Sequence, residues 1–152
     1  MIGATSASAE PFTILALLIA FPAFWCLAIG AFAKLGGWQK LAEAYSIERY
    51  PARPRQKGGP KTIRVNGVRY KGSATIDYDE DGVYMHTIIF FRIGHALLYI
   101  PWEDITVHPK TTNLFGFDFT REITFAQKPE VKVVFPTRLI EKFEYFRDVK
   151  MM

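Results

Sequence analysis

Only one of the 152 residues is cysteine and only three are histidine. A lone thiol cannot close an intramolecular disulfide, and so few soft ligands exclude a multi-cysteine zinc or iron–sulfur site. The first 33 residues hold a single ionisable side chain, Glu10. The chain also lacks a phosphate-binding loop, a GxGxxG fingerprint and a nucleophile elbow, which removes the common signatures of nucleotide and acyl-transfer chemistry. Apolar residues, in contrast, make up 49% of the chain, with 13 Phe, 7 Tyr and 3 Trp, while charged residues make up 22%. That balance belongs to a folded chain, and the length suits one modest domain plus an extra element.

The formal charge of +4 is unevenly distributed. Residues 1–33 carry −1, residues 34–72 carry +8 and residues 73–152 carry −3. A nucleic-acid-binding domain would hold its basic excess on the folded body. Here the excess directly follows an apolar head, which reads as membrane topology and argues against nucleic acid as a partner.

From Phe12 to Ala33 the chain reads FTILALLIAFPAFWCLAIGAFA, with no charge. As a helix this run is about 33 Å long, enough for a hydrocarbon core of about 30 Å. Pro11 suits a first helical turn, Pro22 predicts a kink in mid-span, and Gly36-Gly37 is a stop. Residues 11–36 are therefore expected to form a transmembrane helix, with residues 1–10 as an extracytoplasmic tail. The basic residues that follow place the remainder in the cytoplasm, anchored in the inner membrane with the N-terminus outside. Ala31-Phe32-Ala33 also fits a signal-peptidase site, but the leading segment has no Lys or Arg and the apolar run exceeds a usual signal core. Bulky Phe24-Trp25 before Cys26 argue against a lipoprotein site. A buried soluble helix that is apolar all round does not suit so small a body.

Residues 37–61 read as a basic juxtamembrane segment. Trp38, Leu41, Ala42 and Tyr45 recur at helical spacing, forming a short amphipathic helix that lies either on the membrane surface or against the body. YPARPRQKGGPK then reads as an extended linker. Trp38, Lys40, Arg49, Arg53, Arg55 and Lys57 are the candidate membrane-surface residues, able to meet anionic headgroups.

From Thr62 to residue 150 the period becomes alternating. Asn66-Gly67 between TIRV and VRYK is a hairpin turn, and SATIDYD and VYMHTIIFF form a second hairpin, whose return strand runs from Val83 to Phe91. ALLYIP, EDITVHP, NLFGFDFT, EITFAQ and VKVVF follow as strands, with Thr120-Arg121 expected as a turn. After Pro136, Thr137 caps a helix carrying Leu139, Ile140, Phe143, Phe146 and Val149 on one stripe. The expected architecture is α+β and mainly β. It comprises one transmembrane helix and, counting from Ser73, about seven antiparallel strands in a barrel, with a C-terminal helix capping the open end.

The run GVYMHTIIFFRIGHALLYIPWEDITV carries Gly82-Val83-Tyr84 and then Ile100-Pro101-Trp102-Glu103-Asp104-Ile105. In this motif and its strand order the chain resembles bacterial membrane-tethered pleckstrin-homology-like (PH/GRAM-like) domain proteins over roughly residues 62–148. The resemblance implies a PH-like barrel. It implies no activity, because the basic cluster that phosphoinositide readers carry on their first strands reduces here to Arg69 and Lys71, with Asp77, Asp79, Glu80 and Asp81 close behind.

Asp77-x-Asp79-x-Asp81-Gly82 opens like a calcium loop, but its twelfth position is Ile88, and an acidic hairpin tip is the better reading. His86, His95 and His108 lack metal-ligand spacing, and Glu103-Asp104 point to opposite faces. No catalytic, metal or cofactor site is expected, and the chain does not read as an enzyme. Paired apolar residues such as Phe90-Phe91 exceed what alternation requires, so Phe90, Phe91, Leu98 and Trp102 are the interaction candidates. Trp102 either closes the barrel or is displayed for recognition. The function expected is that of a protein-interaction module, an accessory or assembly subunit of a larger membrane complex; the alternative is a peripheral reader of anionic lipid headgroups.

Overall fold

A computed structural model describes residues 10–53, 55–112 and 119–151. A 26-residue helix α1 (Glu10–Leu35) passes unbroken through Pro22. It is long and apolar enough to cross a membrane. Every side chain from Glu10 to Leu27 is exposed, so α1 is not the core helix of the body. Its last two turns are different: Ile29 and Ala33 are buried against the rest of the chain.

Gly36 and Gly37 make an elbow into α2 (Trp38–Tyr45). Gly37 adopts φ 76°, which a side chain would resist, and a Cβ there would meet the Asn66 amide. Seven strands follow: β1 (Gln56–Val65), β2 (Val68–Tyr78), β3 (Gly82–Thr87), β4 (Leu98–Pro101), β5 (Ile105–Thr112), β6 (Phe119–Phe125) and β7 (Lys128–Pro136). All pair antiparallel in one sheet of order β4-β3-β2-β1-β7-β6-β5. The chain ends on α3 (Thr137–Met151). The class is α+β and mainly β, as expected.

Phe143 of α3 touches Tyr78 of β2, Phe135 of β7 and Trp102, which lies between the edge strands β4 and β5. A flat sheet of this order could not bring those three to one side chain, so the sheet curls around its core and α3 covers one end. At the opposite end Trp38 of α2 meets Tyr70 near the start of β2, and Tyr45 packs on Phe125 beside the β6–β7 turn. The body thus has an α2 end, joined to α1, and an α3 end. Ten strand rises separate Val68 from Tyr78 along β2, about 33 Å of chain.

Asn66 (φ 46°) and Gly67 (φ 85°) both occupy the left-handed region and form the expected two-residue turn. Leu139, Ile140 and Phe143 are buried on the α3 stripe and Phe146 is half-buried; the Val149 side chain lies outside the described residues.

Several expectations are corrected. VRYK and SATIDY are one strand, β2, not two. The linker reading of residues 50–61 holds only as far as Arg55, because β1 begins at Gln56. Gly58 and Gly59 make that pairing feasible. A Cβ on Gly58 would overlap the Ile76 carbonyl, and Gly59 (φ 70°) absorbs the register shift before Pro60. The strand expected over Val83–Phe91 stops at Thr87 and turns into a 3-10 turn at Ile89–Phe91. β4 meets β3 only at Gly82–Met85, and the Ile88 amide makes a last bond to the Ser73 carbonyl. Thr120 and Arg121 lie inside β6, paired with β5 and β7, rather than in a turn. Residues 113–118 of the expected NLFGFDFT strand lie outside the described residues.

Candidate membrane-facing site

The α1–α2 elbow gathers three segments, the third of them distant in sequence from the other two. The first is the end of α1, where Gly30 and Ala33 leave a shallow face. Gly94 fits against it: a Cβ there would lie 3.1 Å from the Ala33 methyl and 3.5 Å from the Gly30 Cα. The second is α2, whose Trp38 and Leu41 are fully buried and whose Tyr45 is nearly so. The Trp38 indole donates to the Ala96 carbonyl at 3.0 Å. The Tyr45 hydroxyl donates to Asp104 at 2.9 Å and accepts the Gln127 amide at 3.1 Å; burial pushes its pKa up to about 12. Of the two readings of the amphipathic helix, the structure selects packing on the body.

The third segment is residues 88–96. His95 is buried between Trp38 and Tyr70, with ring centroids 5.2 and 5.5 Å away. Its Nε2 lies 2.9 Å from the Tyr70 hydroxyl, and its Nδ1 lies 3.1 Å from the Ile93 carbonyl. A carbonyl can only accept, so Nδ1 carries the proton; in the neutral ring Nε2 then accepts from Tyr70. Desolvation holds the imidazole below its ordinary pKa. From this anchor the chain projects along α1, and Phe91 packs on Trp25 at 5.8 Å while the Trp25 indole donates to the Phe90 carbonyl at 3.3 Å.

The expected surface residues are separated by this geometry. Trp38 is a core residue, not an aromatic-belt residue. Lys40 is exposed on the outer face of α2, and Arg49 is exposed on the segment leaving it. Lys57 is exposed but pairs with Asp77 near the α3 end. Arg53 is also near that end. Its Nε lies 2.8 Å from Asp79, Nη1 bonds Asp81, and Nη2 donates to the Tyr84 hydroxyl at 3.1 Å. Asp79 is buried; it accepts the amides of Asp81 and Gly82 and the Tyr84 hydroxyl at 2.7 Å. Burial and the neighbouring Asp79 carboxylate raise the Tyr84 pKa to about 12. Arg55 stacks on the Tyr50 ring at 3.8 Å and lies 4.0 Å from Asp77. The acidic hairpin tip is therefore tied down by the chain's own arginines, in a cleft of about 240 Å³ that Phe146 also lines. Arg53 and Arg55 are thus engaged with the hairpin tip and Tyr50, and Lys57 sits opposite Asp77 at the far end of β1 from the Asn66-Gly67 turn.

Among the interaction candidates, Leu98 is fully buried and Trp102 is nearly so, its indole donating to the Asp79 carbonyl at 3.0 Å. Both belong to the core: β4 alternates, turning Leu98 inward, and Trp102 seals the barrel beside Phe143. Phe91 is half-buried and Phe90 is 71% exposed. His86 contacts Tyr50, and His108 lies 2.9 Å from the Thr124 hydroxyl, so the three histidines occupy separate places.

Sequence reasoning noted Arg69 but missed its pairing with Arg64, both exposed and directly opposite each other beside the Asn66-Gly67 turn. The signal was available: once the hairpin register is set by the turn, these two positions must pair. Like charges placed so are destabilising in isolation. Neither forms an ion pair among the described residues. No protein-family model, curated protein or solved structure matches the chain.

Proposed function

We propose that the chain is a non-catalytic single-pass membrane protein whose β domain, on the cytoplasmic side, serves as a protein-interaction module in a larger membrane complex. The carrying observation is that α1 and the domain are packed together at the elbow, where Ile29, Ala33 and Gly36 are buried; this supports a domain held at a set height and rotation relative to the span. A flexible tether would suit a roaming binder; a rigid elbow suits an assembly subunit. Ala31-Phe32-Ala33 is helical with Ala33 fully buried, which disfavours cleavage there and supports an uncleaved anchor. The basic residues after α1 support the inside placement of the domain. Seven strands in hairpin succession with one capping helix support the pleckstrin-homology-like reading of the fold. The ionisable groups at the Arg53 cluster are engaged with one another, which supports a structural rather than a catalytic role.

The test is photo-crosslinking in native membranes from Leu17, exposed on α1, and from Tyr145, exposed on α3. A discrete adduct with another membrane protein, also recovered with the chain after mild detergent extraction, is expected. Recovery of the chain alone from both positions overturns the reading.

The lipid-reader alternative keeps one favourable observation, the opposed Arg64 and Arg69 near the elbow. An anionic headgroup between them would relieve their repulsion. If so, Arg64→Gln raises the melting temperature in zwitterionic nanodiscs and lowers it in anionic ones; the same shift in both lipids rejects that role.

A further inference from the structure

We propose that the turn Ile89–Phe91, with Ile88 and Ile93 beside it, is a wedge inserted into the hydrocarbon of the cytoplasmic leaflet next to α1. This rests on the reading that α1 spans the bilayer. Ile89 and Phe90 are 70% and 71% exposed and Ile93 is 46% exposed, an apolar tip that nothing among the described residues covers. Its position identifies what covers it. Phe90 and Phe91 contact Trp25, nine residues before Lys34, the first charge after the apolar run. Nine helical residues span about 14 Å. A tip that touches α1 at Trp25 therefore shares the depth of Trp25, and at that depth the surrounding medium is lipid tails.

The backbone of the turn is suited to that medium, where an unpaired polar group is costly. The amides of Phe91, Arg92 and His95 bond the carbonyls of Ile88, Ile89 and Arg92, and the Phe90 carbonyl takes the Trp25 indole proton. The one charge in the segment, Arg92, follows the turn as its C-cap and is exposed, with a stem long enough to carry the guanidinium toward the headgroups. Gly94 and the buried His95 fix the base of the wedge to α1 and α2, so it cannot fold back. The protein would then enter the membrane at two adjacent points, and the domain could neither swing nor spin about α1.

The experiment is depth measurement on the full chain in nanodiscs. Cys26 is replaced by alanine, and single spin labels are placed through Phe90→Cys, Leu17→Cys and Glu141→Cys, all at exposed positions. Collision with oxygen, which concentrates in lipid, is compared with collision with a water-soluble nickel chelate. Leu17 and Phe90 labels reached by oxygen and shielded from the chelate, with the Glu141 label reached by the chelate, is the expected result. A chelate-accessible Phe90 label with a lipid-buried Leu17 label overturns the wedge while leaving the span intact. A chelate-accessible Leu17 label overturns the span itself. A Phe90 label shielded from both reagents means a protein contact covers the tip and also overturns the wedge.

Discussion

The Tyr70 hydroxyl and the His95 imidazole meet at 2.9 Å beneath the Trp38 ring, joining β2 to the segment that climbs along α1. The pair is a latch. His95 accepts from Tyr70 and donates to Ile93; accepting at Nε2 needs the neutral ring, while the donation from Nδ1 survives protonation.

Protonation should open that latch. The folded pKa of His95 lies below its free value of about 6.5. The unfolded chain therefore binds the proton first. The stability this site contributes is complete above about pH 6.5 and is lost as pH falls from there through the folded pKa. The melting temperature of the full chain in detergent is expected to drop between pH 7 and pH 5 by more than that of His95→Gln. Parallel curves would show that His95 is not the titrating group.

Gly94 holds φ 74° against the Ala33 methyl. Gly94→Ala combines backbone strain with a crowded contact and is expected to cost about 1–3 kcal/mol, measured by chemical unfolding. Gly72→Ala has a similar φ but open space around its Cβ, so it isolates the backbone share and should cost less.

Trp38→Ala discriminates core from membrane surface. A fully buried indole lost from the core costs about 3–5 kcal/mol, and the Ala96 carbonyl loses its donor. A belt residue would leave unfolding almost unchanged. A near-neutral result would return Trp38 to the interface.

Arg53 grips Asp79, Asp81 and Tyr84 at once. Lysine presents one point charge and cannot reproduce that fork, so Arg53→Lys should lose about 1 kcal/mol. The figure is kept small because Arg53 is 38% exposed and solvent screens the pair. Full rescue by lysine would show that charge alone is used.

Elements whose cause is local were legible in the chain. A 22-residue uncharged apolar run reads as a long helix, Asn66-Gly67 supplies two positive φ values in a row, and the α3 stripe repeats at helical period. The wedge was half-legible, because consecutive Ile and Phe break alternation at residues 88–91, but the break was absorbed into an over-long strand. The neck misled for a similar reason. Prolines, glycines and arginines mark a linker by composition, yet here two glycines admit a bulge and two arginines meet an acidic tip.

By itself the sequence determined the long apolar helix, the strand-rich body, the capping helix and the separation of charge along the chain, because each follows from the period or chemistry of neighbouring residues. Only the tertiary structure decided that α2 belongs to the core, that Arg53 and Arg55 serve the hairpin tip, and that residues 88–96 are latched along α1. Those contacts join residues 25 to 65 positions apart. No local pattern encodes such partners; they are selected when the curled sheet and the α1–α2 elbow bring distant segments within reach.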